Sequence, residues 1–136
     1  MGTFRTKLRV WNPADPGRVY EPEVWVDTGA AFSWVSKSQL EAMGVSPLRR
    51  MQSRTIEGHI VERSVAPVFI GTDGFTGADM VVMAEAGDSE VMGAHSIEGL
   101  GLAADPVQKK LVPTVMLALA AQFAEEESWQ RKRQVR

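Results

Sequence analysis

The sequence predicts a mainly β domain, and three observations carry that reading. Short apolar runs with period-two alternation recur along the chain, turn residues break them at close intervals, and helix signals before residue 118 are few and short. Composition agrees with a single globular unit: the chain has 136 residues, 44% of them hydrophobic and 24% charged. We expect a domain over residues 1–117 and a tail over residues 118–136.

Residues 3–11, "TFRTKLRVW", alternate Phe4, Thr6, Leu8 and Val10 on one face with Arg5, Lys7 and Arg9 on the other, the pattern of a half-buried strand. "NPADPG" is dense in turn residues, and "RVYEPEVWV" returns as a second strand, so the two predict a hairpin that delivers Asp27 to a loop. After "FSWV", the segment "SKSQLEAMG" offers Ser36 or Ser38 as N-cap and Gly44 as the residue past the C-cap of a short helix. "SPLRR" reads as a connection, and "MQSRTIEGHIVERSVAPVFIG" as a second hairpin tipped near Gly58. "TDG" is a turn, "TGADMVVMAEAG" a strand, "VMGAHSIEGLGL" an apolar end followed by one or two helical turns, and "AADPVQKKLVPTVML" strand, turn, strand. The tail "ALAAQFAEEESWQRKRQVR" changes to good helix formers, an acidic run and a basic end, and is expected to be helical or disordered.

Several function classes drop out on composition. A formal net charge of −2 argues against a general nucleic-acid surface. The absence of cysteine excludes disulfides and thiolate metal sites and fits a cytoplasmic protein. His59 and His95 are the only imidazoles, too few for a multi-histidine centre, and Glu125, Glu126 and Glu127 read as a solvated helix face. No apolar run approaches bilayer length and the N-terminus lacks a signal-peptide core, so we expect no membrane, no metal and no cofactor.

One stretch asks for a chemical reason. In "VWVDTGAAFSWVS" a carboxylate, Asp27, falls between two apolar segments, where burial is expensive unless the charge is paired or hydrogen-bonded. Further along stands a second apolar pair followed by glycine, Val91-Met92-Gly93, then a short helix and a closing hairpin.

An apolar strand running into Asp-Thr-Gly-Ala, a glycine-tipped hairpin and a later apolar-apolar-Gly, in that order, resemble the retropepsin-like aspartic proteases, in particular the single-domain bacterial and cellular members. The resemblance spans roughly residues 3–117. It implies a closed β-barrel of the acid-protease fold with one or two short helices, acting as a homodimer, with Asp27, Thr28 and Gly29 as the catalytic motif. One motif per chain means that two chains must meet to supply two carboxylates. Thr28 would lock the two loops together, Gly29 would let backbone approach substrate, and Ala30 would keep the wall small. Two Asp27 side chains a few ångströms apart cannot both ionise comfortably and share a proton, which is the purpose the resemblance gives to the carboxylate.

The same resemblance implies substrate contacts from Ala30, Ser33, Ile56, Glu57, Gly58, His59, Val91 and Gly93, the hairpin around Gly58 being the flap and Val91-Met92-Gly93 the apolar floor. Apolar subsites are expected from Ala30, Val35, Ile56, Ile60 and Val91, and part of the dimer interface from residues 111–117. The partners implied are a second copy of the chain and a peptide or protein substrate bound as an added strand. Departures are Ala31 and Ala94, at positions where viral members often pair an acidic residue with arginine, and His95, where Asp or Asn is common. They keep open a second reading, a catalytically inactive peptide-binding or dimerisation module on the same fold. Read from the residues alone, Gly58 is a hairpin turn residue, His59 a solvated one and His95 a local hydrogen-bonding group. Trp25 and Trp34 read as packing, as do Met43, Met80, Met83, Met92 and Met116.

Overall fold

The computed structural model describes residues 4–115 and 118–121. The expected first strand is cut in two at Leu8, giving β1 (Phe4–Lys7) and β2 (Arg9–Asn12). Its partner is cut at the same level, at Glu21-Pro22, giving β3 (Asp15–Tyr20) and β4 (Glu23–Val26). The breaks have a common cause. Pro22 has no N–H to continue a ladder, while its carbonyl accepts from the Leu8 amide at 3.0 Å and the Leu8 side chain is fully buried. On either side the ladder is kept, Phe4 opposite Val26 in β1–β4 and Val10 opposite Tyr20 in β2–β3.

β5 (Trp34–Ser36) leads into α1 (Lys37–Ala42), where the Ser36 hydroxyl accepts from the Gln39 amide and Gly44 takes φ +78° just past the helix end. The second hairpin is formed by β6 (Arg49–Arg54) and β7 (Ile60–Thr72), so the end of the expected connection "SPLRR" is already strand. β7 turns into β8 (Phe75–Ala84) through Asp73 and Gly74, both at positive φ (50° and 83°), the hairpin geometry that Asp-Gly supplies best. β9 (Val91–Met92), α2 (Ala94–Gly99), β10 (Leu102–Asp105) and β11 (Lys110–Pro113) complete the order.

Among the described residues nine strands form one sheet, ordered β1-β4-β9-β5-β8-β7-β2-β3 with β6 added to β7, and β10–β11 form a separate pair. β1 opens that path and β2 lies next to its end, yet Leu8 alone joins them, so the sheet must curl back on itself. The Thr72 hydroxyl stitches the closure by donating to the Lys7 carbonyl at 2.9 Å. Inside the curl lie Val10, Val24, Val26, Val35, Leu40, Val68, Ile70, Val81, Met83, Met92, Ile97 and Leu102, each at most 3% exposed. Each such side chain contributes about 1.5–3 kcal/mol of transfer free energy.

Two ion and hydrogen-bond clusters tie loops to this frame. The Tyr20 hydroxyl donates to Glu90, which also accepts from the Ser36 amide at the start of α1. Burial first, and Glu90 second, push the Tyr20 phenol above its ordinary pKa. Arg63 grips Asp88 in bidentate fashion at 2.8 and 3.0 Å. No helix among the described residues is long and apolar enough to cross a membrane. Of the expected tail, residues 118–136, only 118–121 are among the described ones; residues 122–136 lie outside them, as does Met116.

Candidate active site

β4 runs parallel to β9, with Trp25 opposite Val91 and Val26 opposite Met92, and β9 also meets β5 at Trp34. The strand that enters the Asp27 loop and the strand that leaves it thus share one short neighbour. Asp27 begins the loop as its backbone N–H donates to the Met92 carbonyl at 2.9 Å. One carboxylate oxygen accepts from the Gly29 amide at 3.0 Å, and the Asp27 carbonyl from the Ala30 amide at 3.1 Å, an Asx-type turn. Asp27 is half-buried, whereas Thr28 and Gly29 are exposed. A Cβ on Gly29 would stand 3.2 Å from the Asp27 oxygen, closer than most neighbours allow.

Gly93 has a sharper reason to be glycine. A Cβ there would lie 2.6 Å from the Phe32 carbonyl carbon and oxygen and 2.8 Å from the Ala30 oxygen, all main chain. The first residues of α2 then clamp the loop: the Ala94 amide donates to Ala30 at 2.8 Å and the His95 amide to Ala31 at 2.9 Å. Alanines at 31 and 94 leave no side-chain ion pair here, so residues 30 and 31 are tied to 94 and 95 by main-chain hydrogen bonds.

Ser33 does not face outward. It is fully buried, its hydroxyl oxygen accepting from the Gly93 amide at 2.9 Å and contacting the Ser96 hydroxyl. Ser96 donates in turn to Asp79, whose side chain is only 3% exposed and which also bonds His95 Nδ1 at 2.9 Å. Direct substrate contact by Ser33 is therefore replaced by a role under the loop. Val35, expected in a subsite, is likewise fully buried in the core. It alternates with the half-buried Trp34 and Ser36 in β5 and takes the inward phase. Asp79 is a residue of this site that the sequence motifs do not include. Its signal was an acidic residue in phase with Val81 and Met83 on an otherwise apolar strand, where a charge needs buried partners.

Asp27, Ala30, Val91 and Gly93 thus meet at one junction, while Ile56, Glu57, Gly58 and His59 form a second group at the tip of the β6–β7 hairpin. That tip is held from within: Gly58 donates to the Thr55 carbonyl, Thr55 to the His59 carbonyl, and the His59 amide to the Thr55 hydroxyl. Gly58 has φ +89° and open space around it, so glycine is required by conformation rather than by close approach. Ile56 is 95% exposed and Ile60 51%, unusual for side chains of this size.

A cavity of about 330 Å³ opens beside the junction, lined by Thr28, Ala94, Ile97, Leu102, Ala104 and Thr114. A larger one, about 480 Å³, lies instead between α1 and the loop carrying Glu85 and Asp88. Of the carboxylates that line it, Asp88 and Glu90 are engaged by Arg63, Tyr20 and the Ser36 amide. No group of three or more His, Asp or Glu among the described residues is placed to hold a metal ion.

No protein-family model matches the sequence, and no curated protein does. Solved structures do. The chain is similar to the EIAV protease in complex with an inhibitor, with a TM-score of 0.52 and 19% identity over 83% of this chain and 91% of that one. It is also similar to the simian foamy virus protease, with a TM-score of 0.49 and 17% identity over 69% of this chain and 91% of that one. At such identities the likeness is one of fold. The chain has a retropepsin-like fold.

Proposed function

We propose that the protein is an aspartic endopeptidase that works as a homodimer, each copy contributing Asp27 to a shared dyad. The observation that carries this reading is the position of Asp27. It follows β4 on a retropepsin-like fold, in a tight Asx-type turn held by the Met92 carbonyl at its start and the Ala94 amide at its end. With one proton shared between two facing carboxyls, the ionised one takes a proton from a water while the protonated one hydrogen-bonds the scissile carbonyl oxygen. Water oxygen bonds to the carbonyl carbon as the C=O π bond breaks, and the carbonyl oxygen takes the proton of the second carboxyl, giving a tetrahedral diol. The diol then loses a proton to the dyad as the C–N bond breaks and the leaving nitrogen takes a proton from the other carboxyl, which restores the starting state. Thr28 and Gly29 shape the loop around Asp27. The chemistry asks for no cofactor.

Under this reading substrate lies extended between the Asp27 loop and the β6–β7 hairpin, acting as a flap. Ala30, Ile56, Glu57, Gly58, His59, Ile60 and Val91 are offered to it, and Gly93 forms the floor. The exposure of Ile56 and Ile60 supports that assignment. The cavity beside Thr28 is the seat offered to the second copy. A cytoplasmic setting goes with the reading, supported by the cysteine-free sequence.

One observation favours the alternative, an inactive peptide-binding or dimerisation module: Ala31 and Ala94 give a bound backbone no charged anchor. Cleavage of a diverse peptide library by the wild type and by Asp27→Asn, prepared side by side, separates the two. The enzyme loses several orders of magnitude in turnover with the base gone. Equal cleavage by both preparations would mean a contaminant and end the protease reading.

A further inference from the structure

We propose that Asp79 is a positioning residue, which fixes the direction of a buried row of hydrogen bonds and so holds the floor beneath Asp27. The catalytic half of this inference rests on the function proposed above; the structural half does not. Carboxylate oxygens accept hydrogen bonds and do not donate them. Ser96 must therefore give its proton to Asp79 Oδ2. That leaves the Ser96 oxygen as acceptor, so the buried Ser33 hydroxyl donates to it. The Ser33 oxygen is then turned to receive the Gly93 amide, which it does at 2.9 Å. Each proton in the row has one direction available, and the carboxylate at its far end decides which.

Asp79 reaches the loop by a second route. Its Oδ1 accepts from the Met80 amide at 2.8 Å and stands 2.9 Å from His95 Nδ1, so that nitrogen is the one carrying hydrogen. His95 in turn donates its main-chain N–H to Ala31, and its ring lies against Phe32, 5.2 Å between centroids. Both ends of the junction between loop and floor, Gly93 and Ala31, are thus referred to one buried carboxylate on β8. Three donors satisfy that carboxylate, which is what allows it to be only 3% exposed. A main-chain clamp with alanines at 31 and 94 has no side chain of its own to set its geometry; Asp79 supplies the reference from beneath.

An asparagine in this place keeps the shape and breaks the logic. With its amide nitrogen toward Ser96 the row reverses and the Ser33 proton loses its acceptor; with the nitrogen toward Met80, two donors face each other. The test compares wild type, Asp79→Asn and Ser96→Ala by amide hydrogen exchange and by peptide turnover. In both variants the Gly93 and His95 amides should exchange about tenfold faster, while Val68 and Ile70 in the core of β7 keep their protection. Turnover should fall about 10- to 100-fold in kcat with KM little changed, since the misplacement falls on the reacting carboxyl rather than on the flap. Unchanged protection at Gly93 in both variants would overturn the proposal. Faster exchange spread evenly over Val68 and Ile70 would also overturn it, reducing Asp79 to a general stabiliser. Local loosening with kcat intact would overturn the catalytic half. A wild type that cleaves nothing would count against the protease reading instead, and the exchange comparison would still decide the role of Asp79.

Discussion

At Gly93 the chain has no room for a single methyl group. The three nearest atoms are main chain, from Phe32 and Ala30, and main chain cannot rotate aside as a flexible side chain can. Gly93→Ala should therefore push the Asp27 loop off its floor, costing about 1–3 kcal/mol in stability as an overpacked site does. Thermal unfolding reads the stability loss, and peptide turnover, on the proposed function, reads the displacement of the loop. An alanine variant with unchanged melting would show that the loop is free to shift. Gly58 makes a contrast, since nothing surrounds it and only its positive φ resists a side chain. The importance of both glycines can be read from pattern, but the reason for each cannot. A close approach between residues 32 and 93 is a fact of tertiary structure. The inward turn of Ser33 is hidden because residues 27–33 form a loop with no strand phase to read, and the partners of Asp79, Ser96 and His95, are brought to it only by tertiary structure.

The elements follow turn chemistry where it is local. Asp73-Gly74 closes β7 on β8, and Ser36 opens α1, as their residue types require. Where the sequence misled, partner choice was the cause. Alternation through residues 4–10 is unbroken, so nothing in it reveals that β1 pairs with β4 while β2 pairs with β3 and β7. Loop attachment carries its own prediction. The hydrogen bond from Arg63, then the backbone bond from the Glu85 amide, hold the Asp88 carboxyl below its ordinary pKa against the opposing effect of burial. A carboxyl lowered on folding adds stability above its unfolded value of about 4 and loses it as pH falls through the lowered folded value. Asp88→Asn should thus be less stable than wild type at pH 7 by about 1–3 kcal/mol, with the gap closing as wild-type Asp88 is protonated in acid. Denaturant melts at neutral pH and near pH 2 check this. A gap of the same size at both would assign the loss to packing.

For the molecule as a whole, the proposed chemistry demands two copies about a two-fold axis near Asp27. Sedimentation or light scattering across micromolar dilution should show a dimer that dissociates as activity disappears, and a species active while monomeric at every concentration would refute the model. The curl of the sheet also sets an order in time. Asp27 is made early, but its floor is β9 and its clamp is Ala94 and His95, and the pairing of β4 with β9 joins segments far apart in the chain. Long-range strand pairing of this kind closes slowly, roughly in milliseconds to seconds. A nascent chain that has exposed everything up to residue 90 carries the aspartate with nothing beneath it. On the proposed function it has no competent half-site to offer a neighbouring chain on the same message, and proteolysis waits until synthesis has passed the second glycine motif.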